Sequence, residues 1–466
     1  MSENIKNINR RDFFKYLGGA TLVTAAATAC KGGGSDASID QEVPKGKMEY
    51  RTSKTKGDKI SLLGYGGMRW PELKQMKEDG SNLDKETIFE MIDYALEHGV
   101  NYFDTSPNYL RGFSEKYLGE ALSRHPRDKY FVATKLSNFN KTLWSPKKSK
   151  EMYYNSFKTL RVDYIDYMLM HSVGNGGWKT FKSRYLDNGM LDFLVEERKA
   201  GRIRNLGFSF HGDIKVYDYL LSRHDEIQWD FVQIQVNYID WLHPTRKNVR
   251  TTDVGKYLYG ELEKRDIDVI IMEPNLGGRL GQLPEYLSSM LKEERPNSSI
   301  ASWAFRYAGT FPKVLTVLSG MTYMEHLQEN ITTYSPLEKI SEKEDALLME
   351  IAEMMMDYPI IPCTTCQYCM PCPYGIDIPS IFSHFNTCVC ESNYPEDMQD
   401  ENYVKARRAF LVGYDRSVPK LRQANHCIGC NECVVHCPQK IKIPVQMKKI
   451  ARYVESLKQN TLKLEK

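Results

Sequence analysis

Short runs of β-branched and aromatic residues recur along the chain, each ending in glycine or a polar group and each followed by apolar residues spaced three and four apart. Residues 60–66 predict a first strand that ends in a glycine-rich turn. Asp84 then predicts the cap of a helix reaching His98, with Ile88, Ile92 and Ala95 on one face. The alternation continues with a strand containing Asp104 and strands at 130–134, 164–170, 203–210, 231–238, 268–273 and 314–318, separated by helical segments that include 116–122, 150–160 and 191–199. Eight strand and helix units in this order predict an α/β fold, a (β/α)8 barrel rather than a doubly wound sheet, and no GxGxxG follows any of the strands. Residues 173–185, rich in glycine and aromatic side chains, are expected as a long loop over the active end of the barrel.

Chemistry gathers at the ends of these strands. Asp104 closes Asn101-Tyr-Phe-Asp104, Tyr109 follows five residues later, Lys135 closes Tyr130-Phe-Val-Ala-Thr-Lys135, and His171 closes Tyr164-Ile-Asp-Tyr-Met-Leu-Met-His171. Taken singly, each has a plain structural reading as a helix cap, a solvated lysine or a core histidine. Three successive strands with polar groups at their C-terminal ends are instead the placement expected of catalytic groups in such a barrel.

With these residues the chain resembles the aldo/keto reductase superfamily, whose members carry an Asp-Tyr-Lys-His tetrad at successive strand ends. The resemblance implies an oxidoreductase that interconverts a small-molecule carbonyl and its alcohol with NADP(H) or NAD(H). It implies Tyr109 as the general acid, Lys135 as the cation that lowers its pKa, Asp104 as the group holding Lys135, and His171 as the residue orienting the carbonyl. It also implies cofactor contacts: Ser209 and Gln235 for the nicotinamide carboxamide, Tyr238 for stacking on that ring, and Leu276, Gly277 and Gly278 for the pyrophosphate. Ser319 and Gly320 match its last phosphate-binding turn, and Glu329 and Asn330 its adenine contacts. Two positions depart from the pattern: Phe210 stands where asparagine usually follows the serine, and Thr322 and Tyr323 stand where a base commonly grips a 2′-phosphate. Trp70, Phe113, Trp144, Trp178 and Trp241 are candidates for the pocket mouth, although barrel aromatics serve packing as often as recognition.

A barrel of roughly 250 to 300 residues leaves a large remainder in this chain. Lys+Arg 63 against Asp+Glu 60 gives no field that would argue for nucleic acid or an anionic membrane surface. Cysteine changes the picture more: of eleven, one is Cys30 and ten follow Pro362, a clustering that points to metal ligation rather than a disulfide framework. Cys363, Cys366, Cys369 and Cys372 form one motif, and Cys427, Cys430, Cys433 and Cys437 form a second whose Cx2Cx2Cx3CP spacing resembles bacterial two-cluster ferredoxins. In those proteins the last cysteine crosses to the other cluster, because a tight loop of two-residue gaps supplies only three of four thiolates. The resemblance implies two [4Fe–4S] clusters, one on Cys363, Cys366, Cys369 and Cys437, the other on Cys427, Cys430, Cys433 and Cys372. The first motif has two residues where three are usual before Cys372, and zinc is the alternative metal. Cys388 and Cys390 are expected as free thiols.

The N-terminus carries Asn9-Arg-Arg-Asp-Phe-Phe-Lys15, which resembles a twin-arginine export motif, followed by an alanine-rich stretch too short and weakly apolar for a stable membrane span. Ala27-Thr-Ala-Cys30 resembles a lipoprotein cleavage box. The chain is therefore expected to be exported by the twin-arginine route, periplasmic or anchored to a membrane by a lipid at Cys30. The expected organisation is a signal segment at 1–30, a flexible tether at 31–58, the barrel at 59–335, an amphipathic linker helix within 336–359 and a small, mostly helical ferredoxin-like iron–sulfur domain at 360–466. A second function class is an iron–sulfur electron-transfer subunit that uses the barrel as a docking or nicotinamide-sensing module. Hydride carries two electrons whereas such a cluster exchanges one, and no flavin motif is present to split the pair, so the clusters are expected either to stiffen their domain or to serve a separate redox partner protein.

Overall fold

The computed structural model describes residues 43–242 and 255–462, so the export motif, Cys30 and most of the tether lie outside the described residues. Two short strands come first, β1 (Tyr50–Thr52) and β2 (Lys59–Ser61), paired antiparallel with Tyr50 opposite Ser61. Eight parallel strands follow: β3 (Leu63–Gly66), β4 (Tyr102–Asp104), β5 (Phe131–Leu136), β6 (Ile165–Val173), β7 (Ile203–Phe210), β8 (Phe231–Gln235), β9 (Asp268–Met272) and β10 (Val314–Ser319). They close into a barrel in the order β10-β3-β4-β5-β6-β7-β8-β9.

The strand expected at 60–66 is in fact two. Ser61 donates its N–H to Asn101 Oδ1 at 2.8 Å and its hydroxyl to the Leu63 carbonyl at 2.7 Å, bonds that turn the chain between hairpin and barrel. Ile60 then packs with Tyr102, Tyr167, Phe231, Ile270 and Leu315 in a core inside the barrel. The interior leaves no slack at Gly64, where a Cβ would fall 2.7 Å from Leu318 Cδ2. Register sets the functional end: Gly66 lies opposite Asp104, Asp104 opposite Ala133, and Lys135 opposite Leu169, so Asp104, Lys135 and His171 come from adjacent strands at one mouth.

Residues 173–185 depart from the expected loop. They fold into helical turns, Gly177–Phe181 and Lys182–Leu186, because Phe181 and Tyr185 are apolar enough to be buried completely. The helix expected as a linker, Glu342–Met355, starts with a capping box between Ser341 and Glu344 and buries Leu348, Ile351, Ala352 and Met355 in the barrel's own outer core. Glu344 fixes it there by accepting from Arg306 at 3.0 Å and from Arg295 at 2.5 Å.

The region after this helix is mostly helical, with Ile378–Cys390, Tyr403–Ser417 and Ile443–Gln459 around a separate core that includes Ile381, Phe382, Phe385, Phe410, Met447 and Ile450. Two cores nevertheless form one compact unit, Val43–Lys466. The C-terminal region seats on the barrel mouth. Arg69, just past β3, donates to Thr365 Oγ1 at 2.8 Å and to the Thr364 carbonyl, and Gln439 reaches Gln235 at 3.5 Å.

Candidate active site

Asp104 ends β4, and its two carboxylate oxygens accept from Lys135 Nζ at 2.6 and 2.7 Å. The third N–H of Lys135 goes to the Thr105 carbonyl at 2.8 Å. Tyr109 follows in a tight turn in which Leu110 and Arg111 take left-handed backbone angles, φ 51° and 60°, a conformation that non-glycine residues adopt only when the surroundings hold it. That turn lays the Tyr109 ring edge-on to His171 at 5.8 Å and under Lys135 Nζ, 4.9 Å from the ring centre. All four tetrad residues are thus brought together, and all four are buried.

One expected relation is corrected. Lys135 was expected to lower the Tyr109 phenol; instead burial pushes the phenol well above its ordinary range, helped by Tyr368, Asp104 and Glu273. Lys135 gives its three protons to Asp104 and to the Thr105 carbonyl, with its Nζ 4.9 Å from the centre of the Tyr109 ring. Burial likewise raises the Asp104 carboxyl and lowers the Lys135 ammonium, and each is partly offset by the other's charge.

His171 is held well below the ordinary imidazole range, first by burial and then by the charges of Lys135, Arg184 and His211. Its Nδ1 lies 2.5 Å from Ser137 Oγ and 3.4 Å from Ser106 Oγ. Nδ1 is thus engaged by these hydroxyls, and Nε2 is the nitrogen left for a substrate carbonyl. The helical turns at 177–186 stand behind this ring. Tyr185 Oη accepts from the His171 N–H at 3.0 Å, and Arg184 donates to the His171 carbonyl at 2.7 Å.

The neutral state of His171 has a consequence for stability. Below about pH 6.5 the unfolded chain binds a proton on this ring and the folded chain does not, so stability is complete above that pH and is lost as pH falls toward the depressed folded-state value. Urea melts of wild type and His171→Gln at pH 7.5 and pH 5.5 check this: wild type is expected to lose the more stability on acidification, and equal losses would contradict it.

Next to the tetrad opens a cavity of about 540 Å3. Its lining includes Asp104, Tyr109 and His171, and with them Ser209, Gly277, Gly278, Ser319, Gly320, Glu329 and Asn330. Ser319 Oγ accepts from Asn330 Nδ2 at 3.0 Å, which joins the last strand to the following helix. Three of the expected cofactor residues lie off this cavity. Gln235 ends β8 with its amide committed to Asp240 at 2.5 Å and to Gln439, so the glutamine that faces the cavity is Gln233, two residues deeper. Tyr238 is completely buried, edge-on to Tyr307 at 6.2 Å, where no ring could stack on it. Leu276 is a buried packing residue that carries the turn into Gly277. Gly277 itself has a second duty, since a Cβ there would overlap the Thr364 carbonyl of the C-terminal region.

The aromatic residues offered for the pocket mouth pack elsewhere: Trp70 is buried, Phe113 tilts against Tyr117, Trp144 donates to the Asn138 carbonyl, Trp178 lies against Tyr219 and Trp241 against Phe311. Other rings approach the tetrad. Phe139 lies 4.7 Å from His171, and Tyr368 lies 6.1 Å from Phe139 and lines the cavity together with Cys366. Glu273, directly after β9, also lines it, with a left-handed φ of 53° and a carboxyl raised by burial and steadied by Arg69. Its place at a strand end was a readable signal. That of Tyr368 was not, because it lies between two cysteines.

None of the ten described cysteines forms a disulfide. Cys363, Cys366, Cys369 and Cys437 line one small cavity with Ile378 and Phe382. Burial, and after it nearby negative charge that includes Cys363 and Cys437, pushes the Cys366 thiol up to about 12. A second group forms around Cys433, pushed up to about 11 by burial and by Cys430, Cys427 and Cys372. Cys388 and Cys390 are buried in the Ile378–Cys390 helix, with Cys388 Sγ 3.5 Å from His384. Among the described residues no three His, Cys, Asp or Glu side chains converge to hold a single metal ion.

The sequence model of the aldo/keto reductase family matches residues 62–353, from the start of the barrel to the last turns of the helix that packs on it. The chain belongs to the aldo/keto reductase family. This aldo/keto reductase is 24% identical over 317 residues to L-galactose dehydrogenase of Arabidopsis thaliana, which takes in 65% of this chain and 92% of that protein. It is 25% identical over 305 residues to the NADH-specific methylglyoxal reductase of Escherichia coli, 59% of this chain and 90% of that one. Among solved structures, the aldo-keto reductase AKR11C1 from Bacillus halodurans in its holo form superposes with a TM-score of 0.52 at 21% identity, covering 65% of this chain and 96% of that chain. The aldo-keto reductase from Klebsiella pneumoniae in complex with NADPH superposes with a TM-score of 0.50 at 18% identity, covering 66% of this chain and 96% of that chain. At these identities the superpositions establish the barrel fold.

Proposed function

We propose that this aldo/keto reductase is a nicotinamide-dependent oxidoreductase that interconverts a small carbonyl compound and its alcohol, and that its C-terminal region holds two [4Fe–4S] clusters. The cavity that Tyr109 and His171 line together with Glu329 and Asn330 carries the first part of this reading. Its lining fits an extended cofactor rich in amide, amino and hydroxyl groups. Gln233 Oε1, Asn275 Oδ1 and Glu329 Oε1 are buried acceptors without a partner in the protein, and all three residues line the cavity. An acceptor left in that state costs about 1–3 kcal/mol, which donors from a bound molecule would offset. The grouping of thiols into Cys363, Cys366, Cys369 and Cys437 and, around Cys433, Cys372, Cys427 and Cys430 supports the second part. A four-iron cluster is a body between its ligands, so the sulfurs stand around it rather than converge on a point.

Bound nicotinamide supplies or accepts hydride, and the clusters supply one-electron exchange. The protein's own work is proton transfer and orientation. Tyr109, neutral at ordinary pH, donates its phenolic proton to the carbonyl oxygen, while Nε2–H of His171 holds that oxygen in place. Lys135, kept charged by Asp104, maintains a positive field against the Tyr109 ring as negative charge develops there. Cys366 lines the same cavity as Tyr109, so the two halves are close; a separate redox partner protein remains the proposed recipient of single electrons. That closeness also favours the second reading, an electron-transfer subunit with the barrel as a nicotinamide-sensing module. Retained carbonyl turnover distinguishes the first reading from it. From the N-terminal residues we further propose twin-arginine export, with Cys30 as the lipid-anchor site.

The test is fluorescence titration of anaerobically purified protein with NADH and NADPH, followed by carbonyl-dependent oxidation of each. Both coenzymes are expected to bind, with a difference no larger than about tenfold, or 1.4 kcal/mol. Thr322 spends its hydroxyl on the Arg69 carbonyl at 2.8 Å and Tyr323 is exposed, so neither of these two positions offers a cation to a 2′-phosphate. Failure of both coenzymes to bind would overturn the reading.

A further inference from the structure

Arg69 stands between the large cavity and the first group of thiols. It lies just past β3 and lines the cavity, with its stem against the turn after β10, where a Cβ on Gly320 would fall 3.0 Å from Arg69 Cγ and Cδ. Its carbonyl accepts from the Thr322 hydroxyl of that same turn at 2.8 Å. The guanidinium reaches the C-terminal region, where it donates to the Thr364 carbonyl and, at 2.8 Å, to Thr365 Oγ1. One residue therefore touches both the turn proposed for the coenzyme and the segment that joins Cys363 to Cys366.

What Arg69 holds there includes a hydrogen bond to sulfur. The Thr365 N–H donates to Cys363 Sγ at 3.4 Å, and Cys363 lines the small cavity with Cys366, Cys369 and Cys437. Thr365 makes this bond with a left-handed backbone, φ 51°, which a β-branched residue keeps only when its surroundings fix it. Those surroundings belong to the barrel. Arg69 binds the Thr365 hydroxyl and the carbonyl before it, and Gly277 lets the Thr364 backbone come so close that a Cβ on the glycine would overlap it. An electron added to a thiolate-held cluster puts negative charge on its sulfurs. An N–H aimed at one of those sulfurs, with a cation behind it, favours the reduced state.

We infer that Arg69 is a positioning residue for the Cys363 group: through Thr365 it raises the reduction potential of the cluster proposed there, and it links that potential to occupancy of the coenzyme cavity. The inference rests on the reading of Cys363, Cys366, Cys369 and Cys437 as ligands of one [4Fe–4S] cluster. No electron has to pass between coenzyme and cluster for the link to operate. A coenzyme pyrophosphate at the turn of Ser319 and Gly320 offers Arg69 a competing anion and weakens its hold on Thr365, so bound coenzyme lowers the potential. By reciprocity, reduction of the cluster weakens coenzyme binding by the same factor.

The test is an anaerobic redox titration of the full chain followed by electron paramagnetic resonance, on wild type, Arg69→Gln and Arg69→Lys. Arg69→Gln is expected to disfavour reduction of one cluster by about tenfold, which is about 59 mV for one electron, and to leave the other cluster unchanged as an internal control. Arg69→Lys, which keeps the charge and part of the donor set, should fall between. In parallel, NADH is titrated by fluorescence into oxidised and dithionite-reduced protein. Wild type is expected to bind NADH about threefold more weakly when reduced, or about 30 mV by the same conversion, and Arg69→Gln equally in both states. Unchanged midpoints in Arg69→Gln, or an equal shift of both clusters, would overturn the inference and leave the cluster reading standing. If Arg69→Gln loses iron, wild type alone decides: equal NADH affinity in the two states would overturn the link. Wild-type protein without iron would overturn the cluster reading itself.

Discussion

Tyr109→Phe is expected to lower carbonyl reduction by on the order of a hundredfold or more, with coenzyme affinity nearly intact. The substitution removes a single oxygen from a side chain that is buried and packed edge-on to His171 at 5.8 Å, so the ring and its neighbours stay in place. What is lost is the acid proposed for the substrate oxygen, since His171 is held neutral by burial and Lys135 is tied to Asp104. The residues proposed to contact the coenzyme, Ser209 to Asn330 among the cavity lining, do not depend on that hydroxyl. Steady-state turnover and fluorescence titration, run side by side, separate the two quantities. Near-normal turnover in the variant would remove Tyr109 from its role.

Cys437→Ser and Cys372→Ser are expected to remove different clusters, each variant losing about half of the iron, because the fourth thiol of each group comes from the other motif. Cys437 lies with Cys363, Cys366 and Cys369, whereas Cys372 lies with the group around Cys433. Iron and sulfide analysis of protein purified without oxygen should give about eight iron atoms per wild-type chain and about four in each variant. The two variants should differ in catalysis. Cys366 and Tyr368 line the barrel cavity, so freeing their loop in Cys437→Ser is expected to depress carbonyl reduction more than Cys372→Ser does, since that second group faces solvent through exposed Cys430. Equal iron loss with equal effects on turnover would argue that the loop at 363–369 is held by the barrel alone. Full iron content in both variants would remove the crossed pairing.

Much of this architecture was readable from residues close together in the chain. Asp84 caps the Lys85–Glu97 helix by accepting from the Thr87 N–H, and strand β7 covers 203–210 as the apolar run predicts. The tetrad was readable for the same reason: a barrel puts strand ends at one mouth, so a polar residue closing an apolar run is placed by topology without knowledge of its partners. Long-range packing decided the rest. The run 231–238 contains two glutamines on one face, and only the neighbours Asp240 and Gln439 turn Gln235 away and leave Gln233 to the cavity. The resemblance implies Tyr238 as a cofactor contact, but its burial against Tyr307 comes from a helix far along the chain. Lys135 and Tyr109 are both where strand periodicity puts them, yet the relation between them hangs on three hydrogen bonds whose geometry no spacing encodes. The docking of the cysteine-rich region on the barrel, with Tyr368 lining the same cavity as Tyr109, has no local signature at all. Periodicity and turn chemistry act over a few residues and so are visible in sequence, whereas which side chain reaches a given buried atom depends on surfaces that meet only when the chain has folded.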